Sequence, residues 1–269
     1  FSPKNFDLGY SGAVPASTAL SQSLNIPAVR MLHQYNQEKF LELLRKTGFS
    51  SFKNTADYYG LSMILGGGET SLWELTGAYA SLSRVLTRYT REGKYSVSDY
   101  HQPSLVPGND HPEKEITDPS PPLSASAIWL TYEALQKVNR PDSETGWQYF
   151  VSSPNLAWKT GTSFGFRDAW ALGTTPAYVA GVWAGNADGE GRPGLTGTAA
   201  AAPLLFDIVN LLGSRSWFTE PDNDLVSVSV CSLSGYRAGP DCPETRTIRA
   251  CLAGLRTEMC PYHRIVHLN

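Results

Sequence analysis

The hydrophobic period of this chain changes near Leu156, and that change limits the folds open to it. Upstream, apolar residues recur at helical spacing: Val29, Leu32 and Tyr35, then Phe40, Leu41, Leu43 and Leu44 as far as Gly48. Ser71-Leu72-Trp73-Glu74 has the form of a capping box, and Leu72, Leu75, Ala78, Tyr79, Leu82 and Leu86 follow as a buried stripe. Ile128, Trp129, Tyr132, Leu135 and Val138 mark a further helix. Downstream, Ala157 to Thr162, Asp168 to Leu172 and Tyr178 to Trp183 are short β segments separated by hairpin-length turns, which implies antiparallel neighbours. Ala199 to Leu212 then reads as a closing helix packed back on the sheet. Helices first, a sheet later and one helix over it make an α+β organisation.

Residues 92–122 are polar and Pro-rich, and Asn139 to Gly146 is a loop before the sheet. A boundary falls after Leu212. Residues 1–212 form the larger domain, 213–224 a linker containing Glu220-Pro221-Asp222-Asn223-Asp224, and 225–269 a small module. Strict alternation in Leu225-Val226-Ser227-Val228-Ser229-Val230 predicts a strand at the start of that module. A net charge of −3 over 269 residues gives no reason to invoke nucleic acid or an anionic membrane. No apolar run approaches the roughly 18 residues of a membrane span; the best, Ala199 to Leu212, is interrupted by Pro203 and Asp207.

All four cysteines, Cys231, Cys242, Cys251 and Cys260, fall in the small module. An even set in so small a unit favours two disulfides in an oxidising compartment, with three possible pairings. A metal site is the rival, because Cys260-x-x-His263 has ligand-like spacing and three further thiolates are at hand. A covalent or metal staple suits a module too small for a large core.

Chemistry concentrates in two places. Trp158-Lys159-Thr160-Gly161-Thr162 opens the first β segment. Lys159 puts a cation where an anionic substrate group docks, and Gly161 removes a side chain so that substrate can lie against the backbone. Thr162 offers a hydroxyl and a main-chain N–H for a developing oxyanion. A second Lys-Thr-Gly, Lys46-Thr47-Gly48, closes a helix and is structural, with Gly48 past the helix end. Ser23-x-Asn25 lies between a short helix, Ala16 to Ser23, and a helix with Pro27 in its first turn. Both polar side chains can therefore face a cleft from a helix corner. The plain alternative is that they cap helices.

These residues resemble the penicillin-recognising serine enzymes, whose sites are lined by Ser-x-x-Lys, Ser-x-Asn and Lys-Thr-Gly motifs. Across residues 3–212 the chain resembles the transpeptidase domain of class A penicillin-binding proteins. The match rests on Ser23-x-Asn25 with Ile26-Pro27-Ala28-Val29, on Tyr59-Gly60-Leu61-Ser62, on Leu65-Gly66-Gly67-Gly68-Glu69, on Ala78-Tyr79-Ala80 and on the lysine motif. Phe164-Gly165-Phe166-Arg167-Asp168-Ala169-Trp170 and Pro193-Gly194-Leu195-Thr196-Gly197 are similar to the penicillin-binding protein 1C branch of that family. So is the tail with Val230-Cys231-Ser232-Leu233-Ser234-Gly235 and Cys260-Pro261-Tyr262-His263.

The resemblance implies a peptidoglycan D,D-transpeptidase, acting on stem peptides and inhibited by β-lactams through an acyl-serine, with no cofactor. It implies Ser23 as a proton relay, Asn25 as a partner for the substrate amide and Lys159 as the positive field. Thr160 and Thr162 would contact the substrate carboxylate beside Gly161. It also implies an upstream glycosyltransferase domain and membrane anchor, placing the protein at the periplasmic face of the inner membrane. One departure stands out. The family's Ser-x-x-Lys nucleophile precedes Ser-x-Asn, yet nothing in the twenty-two residues before Ser23 fits it. Ser50-Ser51-Phe52-Lys53 has the pattern, but it follows Ser23 and reads as a loop, so the nucleophile is expected upstream of this chain. A serine β-lactamase-like hydrolase and a non-catalytic module binding envelope partners are the alternative readings.

Overall fold

The computed structural model describes residues 3–5, 9–10, 12–106, 121–138 and 155–264. Residues 107–120 of the Pro-rich stretch, and the loop from Asn139 to Gly146, lie outside the described residues. The helical first part is α1 (Ala16–Ser21), α2 (Asn25–Tyr35), α3 (Gln37–Lys46) and a single turn, α4 (Ala56–Tyr59), that runs on as a 3₁₀ segment to Leu65. Two long helices follow, α5 (Leu72–Glu92) and α6 (Ala125–Gln136).

The capping box is half realised. Ser71 accepts from the Glu74 N–H as expected, but the Glu74 carboxylate reaches away from its own helix. It accepts from the Ser50 N–H at 2.9 Å, the Ser50 hydroxyl and the Thr70 hydroxyl at 3.1 Å. That grip ties the loop after α3 to the head of α5. Phe49, Phe52, Tyr59, Leu41 and Met63 pack there as a small core.

β1 (Ala157–Thr162), β2 (Asp168–Thr174) and β3 (Val179–Gly185) form an antiparallel sheet in the order β1-β2-β3. The register gives each face a distinct job. Pairing of Thr160 with Ala171 and of Ala171 with Val182 puts Trp158, Thr160, Thr162, Ala169, Ala171, Ala180 and Val182 on one face. Small side chains there let α7 (Ala202–Leu212) and the single π turn before it, Gly197–Ala201, approach closely. Trp158, wholly buried, meets Phe206 edge-on at 5.0 Å. The opposite face carries Lys159, Gly161, Leu172, Thr174 and Gly181, and α5 covers its far end. There a Cβ on Gly181 would sit 2.4 Å from Thr76 Oγ1, and the Ser83 hydroxyl bonds Thr174 Oγ1 at 2.7 Å. Sheet between helix layers is the α+β arrangement that the change of period predicts.

Residues 213–224 are packed rather than extended into solvent. Phe218 is buried and stacks at a tilt on Tyr132 at 5.0 Å, and Trp217 Nε1 donates to Glu133 at 2.9 Å. Asp224 accepts from Tyr95 Oη at 3.1 Å and from the Ser126 N–H at 2.7 Å. The chain then forms a hairpin, β4 (Leu225–Cys231) with β5 (Thr245–Cys251). The alternating run predicts β4. β5 has no such pattern because its first four residues are all exposed. Among the described residues no helix is long and apolar enough to cross a membrane.

Two glycines should separate fold from site. A Cβ at position 197 would lie 2.5 Å from the Gly161 carbonyl oxygen and 2.6 Å from that of Trp170. Gly197→Ala is expected to cost roughly 3 kcal/mol, as severe overpacking does. A Cβ at Gly161 would meet Trp170 at an ordinary 3.6 Å, so Gly161→Ala should fold with near-normal stability; urea denaturation of both variants is the check.

Acid stability gives another readout. Burial alone would raise the Glu74 carboxyl, but the hydrogen bonds from Ser50 and Thr70 outweigh it and hold the pKa down to about 2. A carboxyl with a depressed folded pKa stabilises the fold fully above its unfolded value and loses that contribution as pH falls. Between about pH 4.5 and pH 2 the protein should therefore lose up to about 3 kcal/mol that Glu74→Gln does not lose. Urea titrations across that range, wild type against variant, measure the difference.

Candidate active site

Ser23 and Lys159, 136 residues apart in sequence, meet between the helical part and β1. Lys159 Nζ donates to Ser23 Oγ at 2.5 Å and to the Thr160 carbonyl at 2.8 Å. As the ammonium donates, Ser23 keeps its own hydroxyl proton for another acceptor. Burial of the Lys159 amine pushes its pKa below the ordinary lysine value. The pair is thus a cation of weakened grip on its protons, touching a hydroxyl that can pass one on.

The backbone explains why Ser23 reaches the lysine. α1 ends in a Schellman arrangement, with Ser23 N–H bonding Leu20 O at 3.1 Å and Leu24 N–H bonding Ala19 O at 2.9 Å. That motif needs a left-handed residue, and Ser23 takes φ +57° where glycine is usual. The end of α3 shows the ordinary solution: Gly48 N–H bonds Arg45 O, Phe49 N–H bonds Leu44 O, and the left-handed residue is Gly48. Ser23 therefore carries a side chain where the backbone favours glycine, as Asn36 and Phe166 do elsewhere in the chain.

Asn25 opens α2, and its amide donates to the Lys4 carbonyl at 2.9 Å. One amide donor and the Oδ1 acceptor are left for other partners. Neither Ser23 nor Asn25 caps a helix. The cap of α2 comes from Asn5, whose Oδ1 accepts from the Ile26 N–H at 3.2 Å. Nothing in the sequence signals that long-range cap.

β1 is the outer strand of its sheet among the described residues. Ser163 N–H bonds Asp168 O at 3.0 Å; alternation then turns the N–H of Thr162 outward, to the free edge. Thr160 and Thr162 place their side chains on the α7 face, across the strand from Lys159. Thr162 Oγ1 accepts from the Gly197 N–H at 3.0 Å while the residue stays exposed, so its hydroxyl proton remains available at the end of the strand. Past Gly161, Trp170 and Trp183 continue the Lys159 face, with Asp168 accepting from Trp183 Nε1 at 2.9 Å. Two segments far apart in sequence are joined here: Arg192 N–H bonds Phe166 O at 3.0 Å.

Ser50 belongs elsewhere. Its hydroxyl and N–H are both taken by Glu74, and Ser50 to Lys53 lie in a turn with Lys53 N–H on Ser51 O at 2.9 Å. Serine and lysine there do not share a helix face. The loop reading of this Ser-x-x-Lys agrees with the structure.

In the terminal module, Cys231, Cys242, Cys260 and His263 bring their ligand atoms within 4.8 Å of one another. All four cysteines are free thiols. The two disulfides expected from the count are not formed, and Cys251 is separated from the other three.

The sequence is 36% identical over 216 residues to penicillin-binding protein 1C of Escherichia coli K12, covering 80% of this chain and 25% of the relative. The chain belongs to the class A penicillin-binding proteins. Other class A relatives agree: penicillin-binding protein 1B of Haemophilus influenzae is 26% identical over 91% of this chain and 30% of its own length. No established family profile matches. In three dimensions the chain superposes on the crystal structure of penicillin-binding protein 1A from Haemophilus influenzae with a TM-score of 0.66, at 19% identity. That match covers 94% of this chain and 42% of the other. Pseudomonas aeruginosa PBP2 matches with a TM-score of 0.52 at 14% identity, over 79% of this chain and 51% of the other. The fold is therefore the penicillin-recognising one. The chain spans about a quarter to a third of the length of the curated penicillin-binding proteins it matches.

The Ser23 backbone can be tested directly. Ser23→Gly and Ser23→Ala both lose the hydroxyl, but only alanine keeps the left-handed penalty. Ser23→Gly is expected to be more stable than Ser23→Ala by about 1 kcal/mol in urea denaturation; equal stabilities would count against a strained corner.

Proposed function

We propose that this chain supplies the Ser23, Asn25 and Lys159 side of a peptidoglycan D,D-transpeptidase site. The acylated serine would lie in sequence outside these residues. The observation that supports this reading best is the Lys159–Ser23 hydrogen bond beside the free edge of β1. A stem peptide laid along that edge pairs with outward main-chain groups, as extended peptides do on an open strand. Its terminal carboxylate sits in the field of Lys159 and accepts the remaining Thr162 hydroxyl proton, with Thr160 beside it. Gly161 leaves the backbone open to the peptide.

When the nucleophile attacks the D-Ala-D-Ala amide, negative charge grows on the carbonyl oxygen, and the Thr162 N–H donates to it. Ser23, holding its own proton beside a lysine of lowered pKa, passes that proton to the leaving amine and recovers one from the nucleophile side. Asn25 orients the substrate amide with its free donor and acceptor. A second peptide amine then releases the acyl group and completes the cross-link. A β-lactam enters by the same contacts and stays bound to the serine. The glycosyltransferase domain, the membrane anchor and a place at the periplasmic face of the inner membrane are proposed with the rest of the protein.

Labelling with a fluorescent penicillin tests the reading, on residues 1–269 and on a longer natural form of the protein. Label on the longer form alone, mapped to a serine of an upstream Ser-x-x-Lys, is the expected result. In that form Lys159→Ala and Gly161→Ala should each slow labelling, the former by about 10²-fold or more. Label on Ser50 of the shorter chain would overturn the assignment, and rapid release of the label would indicate a hydrolase instead.

A further inference from the structure

We infer that the terminal module holds a structural Zn²⁺ ion on Cys231, Cys242, Cys260 and His263, with Cys251 left out. The first support is the separation of the cysteines into three and one. Cys231 ends β4 opposite Thr245, whereas Cys251 ends β5 opposite Leu225. They are at opposite ends of a hairpin, about 20 Å apart at the rise of a strand. A disulfide needs Cα atoms within about 7 Å. Two disulfides are thus excluded by topology, and any single bridge within the cluster would strand a thiol.

The second support is the spacing of the ligand atoms. His263 Nδ1 lies 3.5 Å from Cys231 Sγ and 3.3 Å from Cys260 Sγ. Sulfur and nitrogen ligands in a zinc tetrahedron, at about 2.3 and 2.0 Å from the metal, lie about 3.6 Å apart. All four ligand atoms fall within 4.8 Å of one another, which surrounds a single ion.

The third is how the ligands are held. Two turns and a bridge converge: Gly235 N–H bonds Cys231 O at 2.9 Å, Cys242 N–H bonds Gly239 O at 3.2 Å, and Cys260 N–H reaches across to Arg237 O at 2.8 Å. Hydrogen bonds then reach the sulfurs themselves, from the Gly239 N–H to Cys242 Sγ at 3.3 Å and between Ser234 Oγ and Cys260 Sγ at 3.1 Å. Such outer contacts orient thiolates around a metal. Three cysteines and one histidine leave no open position, as in a structural rather than a catalytic zinc site. Binding releases the thiol protons to solvent and adds folding free energy to a module with little apolar core.

The test uses the 269-residue chain, reduced and freed of metal. Zn²⁺ should bind at one equivalent per chain, and Co²⁺ should give the absorption of a tetrahedral thiolate site. Iodoacetamide should alkylate Cys251 at the same rate with and without zinc, while zinc slows alkylation of Cys231, Cys242 and Cys260 at least about tenfold. Cys251→Ser should keep full stoichiometry; Cys242→Ser and Cys260→Ser should lose tight binding. The alkylation pattern of the unmutated chain decides the matter even if those variants fail to fold. Four cysteines alkylated alike with zinc present, no uptake of either metal, or a disulfide among the three in protein taken from cells would each overturn the proposal.

Discussion

Burial of Trp158 against Phe206 fixes β1, and the site follows from it. Side chains alternate along a strand, so seating Trp158 in the core beneath α7 turns Lys159 to the other face. Gly197 tightens this arrangement by bringing the turn before α7 against the carbonyl of Gly161, an approach that no larger residue permits. The lysine is thereby held over the corner between α1 and α2, where Ser23 comes to meet it. Two weakly related requirements, a packed sheet and a paired amine and hydroxyl, are met by one register.

Much of this was legible in the sequence. The change of period at Leu156 gave the order of helices and strands, and all three strands of the sheet lie where the segments predict, to within two residues at their ends. The lysine and Ser-x-Asn motifs drew attention to Lys159 and Ser23, which meet in the fold. What stayed hidden depends on contacts between distant residues. The Asn5 cap on α2 is one such contact, and the bond from Gly197 to the Thr162 hydroxyl is another. Glu74 looked like half of a local capping box, yet its carboxylate serves Ser50. A local pattern fixes which helix end a residue occupies, and only the fold decides where its side chain turns.

The cysteines show the same limit more sharply. Counting four thiols in a small module pointed to pairs. Pairing, however, is a question of distance, and β5, with its first four residues exposed, carried no periodic signal to place Cys251. Once Thr245–Cys251 is seen to run back along β4, three thiols gather at one end and the fourth goes to the other. The connecting segment also behaves differently from its composition. Asp224 holds Tyr95 and the first turn of α6, so the small module is braced against the helix that flanks β1.

The edge of β1, open among the described residues, has a cost that the arrangement at Lys159 meets. A strand with outward N–H and C=O groups invites pairing with any extended chain, including another copy of the same protein. Here the Thr160 carbonyl is occupied by the ammonium of Lys159, and a charge stands where a second strand would dock. A neutral strand approaching the edge must displace that charge, so the ammonium that satisfies one carbonyl of the strand also works against its pairing with a second strand.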